Sequence, residues 1–114
     1  MKNLILTTFL LSSGALANCN DPKTSFESQK CLSDEVKKLK FQLNKTYAFA
    51  YKNTEAKKEL DLSQKKWLDF KDTQCGTFVV ADTQGSPATV EYDLSCQTII
   101  IQQRIDFLKD FLIH

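Results

Sequence analysis

Leu62-Ser63-Gln64-Lys65-Lys66-Trp67-Leu68-Asp69-Phe70-Lys71-Asp72-Thr73-Gln74-Cys75 holds the only tryptophan of the chain, a second aromatic three residues on, and a cysteine. No Gly or Pro interrupts it, so nothing breaks a helix. Wound as a helix, it puts Leu60, Ser63, Trp67, Phe70 and Gln74 on one stripe at steps of three and four, with Lys58, Lys65, Lys66 and Lys71 largely off it. The reading is an amphipathic helix that turns Trp67 into a core and ends on a disulfide cysteine. Trp67 is then a packing residue rather than a ligand contact.

Upstream, Thr24 or Ser25 is placed to cap a helix, with Glu27 or Ser28 three residues on. No Gly or Pro follows until beyond Lys52. Leu32, Val36, Leu39, Leu43 and Tyr47 recur at helical steps, Ala50 and Tyr51 extend the stripe, and Lys37, Lys38, Lys40 and Lys45 sit mostly opposite. This predicts one long helix, or two with a bend near Cys31. Thr54 is a candidate N-cap for a second helix running from about Glu55 through Cys75, with Phe78 as its outer limit. So short a connection makes the two helices antiparallel neighbours. Ala81-Asp82-Thr83-Gln84-Gly85-Ser86-Pro87 reads as a loop. The next helix starts at Ser86-Pro87 or, alternatively, nearer Asp93. Leu94, Thr98, Ile101, Ile105, Leu108 and Leu112 share its face, and Phe107 and Phe111 widen it. The fold class expected is all-α: a small bundle of three to four helices around Leu39, Leu43, Tyr47, Leu60, Trp67, Phe70, Ile101, Ile105 and Leu108.

The length of 114 residues suits one domain. Residues 1–17 read as a signal peptide: Lys2, an apolar run over residues 4–11, and the small-x-small site Ala15-Leu16-Ala17. Cleavage after Ala17 leaves a single helical domain over residues 18–114, periplasmic or secreted, with 14 basic and 14 acidic residues. The apolar run is too short to span a membrane, so no transmembrane segment is expected after cleavage. Asn18 before Cys19 is a poor fit to a lipoprotein site. The formal charge of +1 gives no nucleic-acid signal. Four cysteines in an exported chain of this size imply two disulfides, for which three pairings exist. No C-x-x-C pair occurs and His114 is the only histidine, so neither metal nor cofactor is expected.

The block Leu-x-x-Gln-x-x-Trp-Leu-x-Phe-Lys-Asp-x-x-Cys, built on Gln64, Trp67, Asp72 and Cys75, resembles the signature of the LprI-like lysozyme inhibitor family, small secreted bacterial domains. Leu43-Asn44-x-x-Tyr47 is similar to a second element of that family. Gly85-Ser86, Cys96, Thr98 and Arg104 follow in its order, and Cys19 and Cys31 match its early pair. Lys71 stands where the family commonly carries Arg, giving a point charge in place of a planar fork. Of the three pairings, Cys19–Cys31 and Cys75–Cys96 join nearest neighbours and agree with the resemblance. Each loop then contributes on the order of 3 kcal/mol in the chain-entropy model.

With no internal histidine and no free cysteine expected, the usual general base and nucleophile are missing, and the chain does not read as an enzyme. Asp69 and Asp72 are helical neighbours, and a Cys75–Cys96 link between antiparallel helices puts position 69 opposite about position 102. The expectation is a structural ion pair of Asp69 or Asp72 with Arg104. A binding role is the default, and the resemblance implies lysozyme as partner. Between residues 72 and 103 there is no Lys or Arg; the charges are Asp72, Asp82, Glu91 and Asp93. Residues 30–71 hold eleven Lys against six acids. An acidic, disulfide-framed loop, with Asp82, Gly85, Ser86, Glu91 and Asp93 as contact residues, is the surface expected to meet a basic lysozyme. Two alternatives are an envelope binding or immunity protein for another secreted partner, and a module that docks Lys-rich helices on anionic surfaces.

Overall fold

The computed structural model describes Cys19 and residues 24–112. The expected signal peptide, His114 and the side chain of Leu112 lie outside the described residues. Helix α1 spans Ser25–Asn53 without the bend considered near Cys31. Thr24 caps it, its hydroxyl accepting the Glu27 N–H at 3.1 Å. Helix α2 spans Lys57–Lys71 and passes directly into a π-helical stretch, Asp72–Phe78, and then into a short α3, Val79–Thr83. The second rod therefore continues well past Cys75. The Thr54 hydroxyl accepts the Ala56 N–H at 3.1 Å, but Thr54 lies two residues before the N-cap position, Ala56, and does not cap α2 itself. The loop over residues 81–87 contracts to a turn over residues 84–88, and helix α4 spans Thr89–Leu112, starting between the two positions considered. No strand occurs among the described residues.

The order is up, down, up. The Ser28 hydroxyl donates to the Glu91 carboxylate where α1 and α4 begin, and Leu43 meets Ile101 further along, so α1 and α4 run parallel. Cys75–Cys96 and the Arg104 contacts to Ser63 and Gln64 fix the second rod antiparallel to α4. Both expected disulfides are present. Most of the packing joins α1 to α4; α2 touches α1 only sparsely.

Val36, Leu39, Leu43 and Ala50 of α1, Leu60 of α2, and Ile101, Ile105 and Leu108 of α4 form the core. Each fully buried aliphatic contributes about 1.5–3 kcal/mol relative to exposure. Tyr47, Trp67 and Leu94 pack on its edge, half-buried. Phe70 is a correction: it is 50% exposed, and Phe107 and Phe111 also lie open, stacked on each other with centroids 4.8 Å apart. The inward stripe of α2 is Leu60, Gln64, Trp67 and Lys71, leading to Cys75, instead of the phase through Ser63, Phe70 and Gln74. Steps of three and four allow both phases. The disulfide decides, because Cys75 must face α4 to reach Cys96. Lys71, expected off the stripe, is consequently 8% exposed.

Candidate functional site

The residues of the two family-like elements converge on one groove. Lys40, Leu43, Asn44 and Tyr47 of α1 face Gln64, Trp67, Leu68 and Lys71 of α2 across a floor that includes Ile101, enclosing about 360 Å³. The groove exists because α2 touches α1 only sparsely, while the second rod packs on α4 chiefly through the π-helical stretch and α3. The Tyr47 hydroxyl donates to Asp61 Oδ1 at 3.1 Å. Burial, together with that carboxylate, pushes the Tyr47 phenol above its ordinary range.

Arg104 lies behind two of the lining residues, Gln64 and Trp67. It is 9% exposed, its Nε donating to Gln64 Oε1 and its Nη2 to Ser63 Oγ, both at 2.9 Å. Its guanidinium lies 5.9 Å from the Trp67 ring centroid and 5.6 Å from that of Phe107. Burial draws its pKa below the usual arginine value, and the group remains a cation. No ion pair among the described residues joins Arg104 to Asp69 or Asp72. Residue 104 lies level with residues 63 and 64, a turn or more from residue 69, so neutral acceptors take the place of the expected aspartates. Asp72 pairs instead with its neighbour, Lys71 Nζ to Asp72 Oδ1 at 3.1 Å, the lysine enclosed and the aspartate open. Ser63, Gln64 and Lys71 were not singled out as partners from sequence, although Gln64 sits in the quoted signature.

The cation-free region folds as a helical hairpin rather than a loop. Asp82 is exposed on α3, and Gly85 and Ser86 are exposed at the turn. Gln84 and Gly85 both take positive φ, 55° and 68°, which lets Gly85 N–H bond Val80 O at 3.1 Å and stop the helix. Thr83 and Thr89 join hydroxyls across the base of the turn, and Ser86 O accepts the Thr89 N–H. Glu91 and Asp93 are helical and half-buried. Glu91 accepts from Ser28, and Asp93 accepts from Gln97 Nε2 at 3.1 Å. Of the five expected contact residues, three thus share the open tip and two face inward along α4. Among the described residues no group of three His, Cys, Asp or Glu is placed to hold a metal, and no helix is long and apolar enough to cross a membrane.

A family model described as lysozyme inhibitor LprI matches residues 18–108. No curated protein and no solved structure matches the chain. The matched span runs from the first cysteine region through Arg104 and the last core residue, Leu108, and so takes in both disulfides, the Trp67 groove and the acidic hairpin. The chain belongs to the LprI lysozyme inhibitor family.

Proposed function

We propose that this protein is an exported, non-catalytic inhibitor that binds lysozyme and presents its acidic hairpin end to that basic enzyme. Family membership supports the class of partner. The observation that carries the surface is the charge separation: Asp72, Asp82, Glu91 and Asp93 with no Lys or Arg between residues 72 and 103. Asp82, Gly85 and Ser86 make direct contact at the tip. Glu91 and Asp93, held by Ser28 and Gln97, act through their field, steering encounter. The Thr83–Thr89 clamp and Cys75–Cys96 hold the tip in shape, which lowers the ordering cost of binding. The tip blocks the saccharide cleft sterically. Residues 1–17 serve as the export signal, and residues 18–114 act as one domain in the periplasm or outside the cell.

The test is a cell-wall lysis assay with several lysozyme types over a range of ionic strengths. Wild-type protein inhibits at least one type, and Asp82→Asn/Glu91→Gln/Asp93→Asn binds more slowly and loses most of the salt dependence. Absence of inhibition of every lysozyme by wild type sinks the function. Full inhibition by the triple variant moves the contact to another surface, the Trp67 groove first.

A further inference from the structure

The acidic hairpin has a counterpart of opposite sign on α1. From Val36 to Thr54 no Asp or Glu occurs, while Lys37, Lys38, Lys40, Lys45 and Lys52 do. The core-facing residues of α1 are Val36, Leu39, Leu43 and Ala50. On the opposite side of the helix, Lys37, Phe41, Lys45 and Phe49 follow one another at steps of four, and Lys52 lies three beyond. The two phenylalanines are not tucked away: Phe41 is 64% and Phe49 51% exposed. Lys45 Nζ sits 5.5 Å from the Phe41 ring centroid. The result is a convex ridge about 22 Å long, in which cations and large apolar rings alternate.

We propose that this outward face of α1, Lys37, Phe41, Lys45, Phe49 and Lys52, docks the protein onto an anionic lipid bilayer. Complementarity of charge selects an anionic surface, because the three lysines of this face, with no acid between residues 36 and 54, meet phosphate-bearing headgroups at no cost in like-charge repulsion. The phenylalanines select lipid over a soluble polyanion. A hydrated polyphosphate or acidic polysaccharide offers nothing for an exposed ring, whereas the headgroup–acyl boundary takes rings between cations from a helix lying in its plane. The ridge is also convex, which suits a surface that yields and not a protein pocket that must be preformed. Docking uses the side of α1 turned away from the core and demands no rearrangement of it. The inference is independent of the inhibitor reading, since it concerns a different helix and a different assay.

The experiment is co-sedimentation of the purified, disulfide-bonded protein with vesicles of phosphatidylcholine alone and of phosphatidylcholine with phosphatidylglycerol, over a salt series. Binding is expected to the phosphatidylglycerol vesicles and to fall with salt. Phe41→Ser/Phe49→Ser keeps every charge and weakens it roughly tenfold or more. Lys37→Gln/Lys45→Gln/Lys52→Gln abolishes the preference for anionic lipid, whereas removing the same charge from α2 with Lys58→Gln/Lys65→Gln/Lys66→Gln changes binding by no more than about twofold. Circular dichroism checks that each variant is folded. No binding to anionic vesicles at low salt overturns the proposal. So does equal binding by the phenylalanine variant, and an equal loss from the α2 lysines would show a diffuse charge effect without a docking face.

Discussion

Replacing Arg104 with Met separates two accounts of what the buried cation does. The substitution removes two hydrogen bonds from a charged donor, each about 1.5–3 kcal/mol. It also removes two ring contacts of about 0.5–1 kcal/mol each. Against that, it returns the desolvation cost of an enclosed guanidinium, and methionine keeps an apolar stem between Trp67 and Phe107. Ser63 is exposed and Gln64 half-buried, so water replaces the lost donor at both acceptors. The net loss is about 1–2 kcal/mol. With a buried carboxylate as partner, truncation would leave an uncompensated charge at about 3–5 kcal/mol. Urea unfolding of both proteins at pH 7 and in acid decides. A salt-bridged carboxylate has its folded pKa depressed, so its stabilisation is present above the unfolded value of about 3.9 and is lost as pH falls through the folded value. Neutral acceptors do not titrate, so the difference between wild type and Arg104→Met stays constant. A neutral-pH loss above about 3 kcal/mol that shrinks in acid would refute the assignment to Ser63 and Gln64.

Trp67→Ala is expected to cost about 2–3 kcal/mol, below the full-core range, because the ring is half-buried at the groove; chemical denaturation measures it. Absorbance titration finds Tyr47 ionising above the ordinary tyrosine value, held there by burial and by Asp61, and Asp61→Asn lowers it. Since its folded pKa is raised, its share of stability is intact below the unfolded value of about 10 and declines as pH rises through the folded value. Cys75→Ser/Cys96→Ser lowers stability by about 3 kcal/mol, and thiol titration of the unreduced wild type finds no free cysteine.

The long helices were legible because their apolar stripes run for many turns and Thr24 marks a start; α1 and α4 follow Leu39, Leu43, Ile101, Ile105 and Leu108 as the pattern implies. The rotation of α2 was not. Trp67 belongs to either of two adjacent stripes, and aromatic weight favoured Phe70 where the disulfide imposes Lys71. The π-helical stretch was not legible either. Lys71, Cys75 and Val79 are buried at steps of four. Steps of four are also what one face of an α-helix gives, so the widened turn left no mark of its own in the pattern. Composition marked residues 81–87 as loop because Gly, Ser and Pro break helices, yet Ala81 to Thr83 remain helical and the break falls at residues 84–88, opened by left-handed backbone at Gln84 and Gly85. At the expected contact surface, sequence showed the charge but not its direction: nothing local announces that Glu91 turns toward Ser28, sixty-three residues away.

That pairing of the first helix with the last governs how the chain can fold. The apolar stripe of α1 finds most of its cover on α4, so contacts of long sequence separation must form before the core exists, which slows folding relative to a hairpin of neighbouring helices. During vectorial synthesis, Val36, Leu39, Leu43 and Ala50 stay uncovered until Ile101, Ile105 and Leu108 have emerged. Cys19–Cys31 closes within a short local segment and is available early. Cys75–Cys96 needs the beginning of α4, so its oxidation times the arrival of the element that completes the fold. A chain ending before residue 101 would have neither an inner wall for α1 nor an anchor for Ser63 and Gln64, and would persist as an oxidised, sticky intermediate rather than a smaller version of the protein.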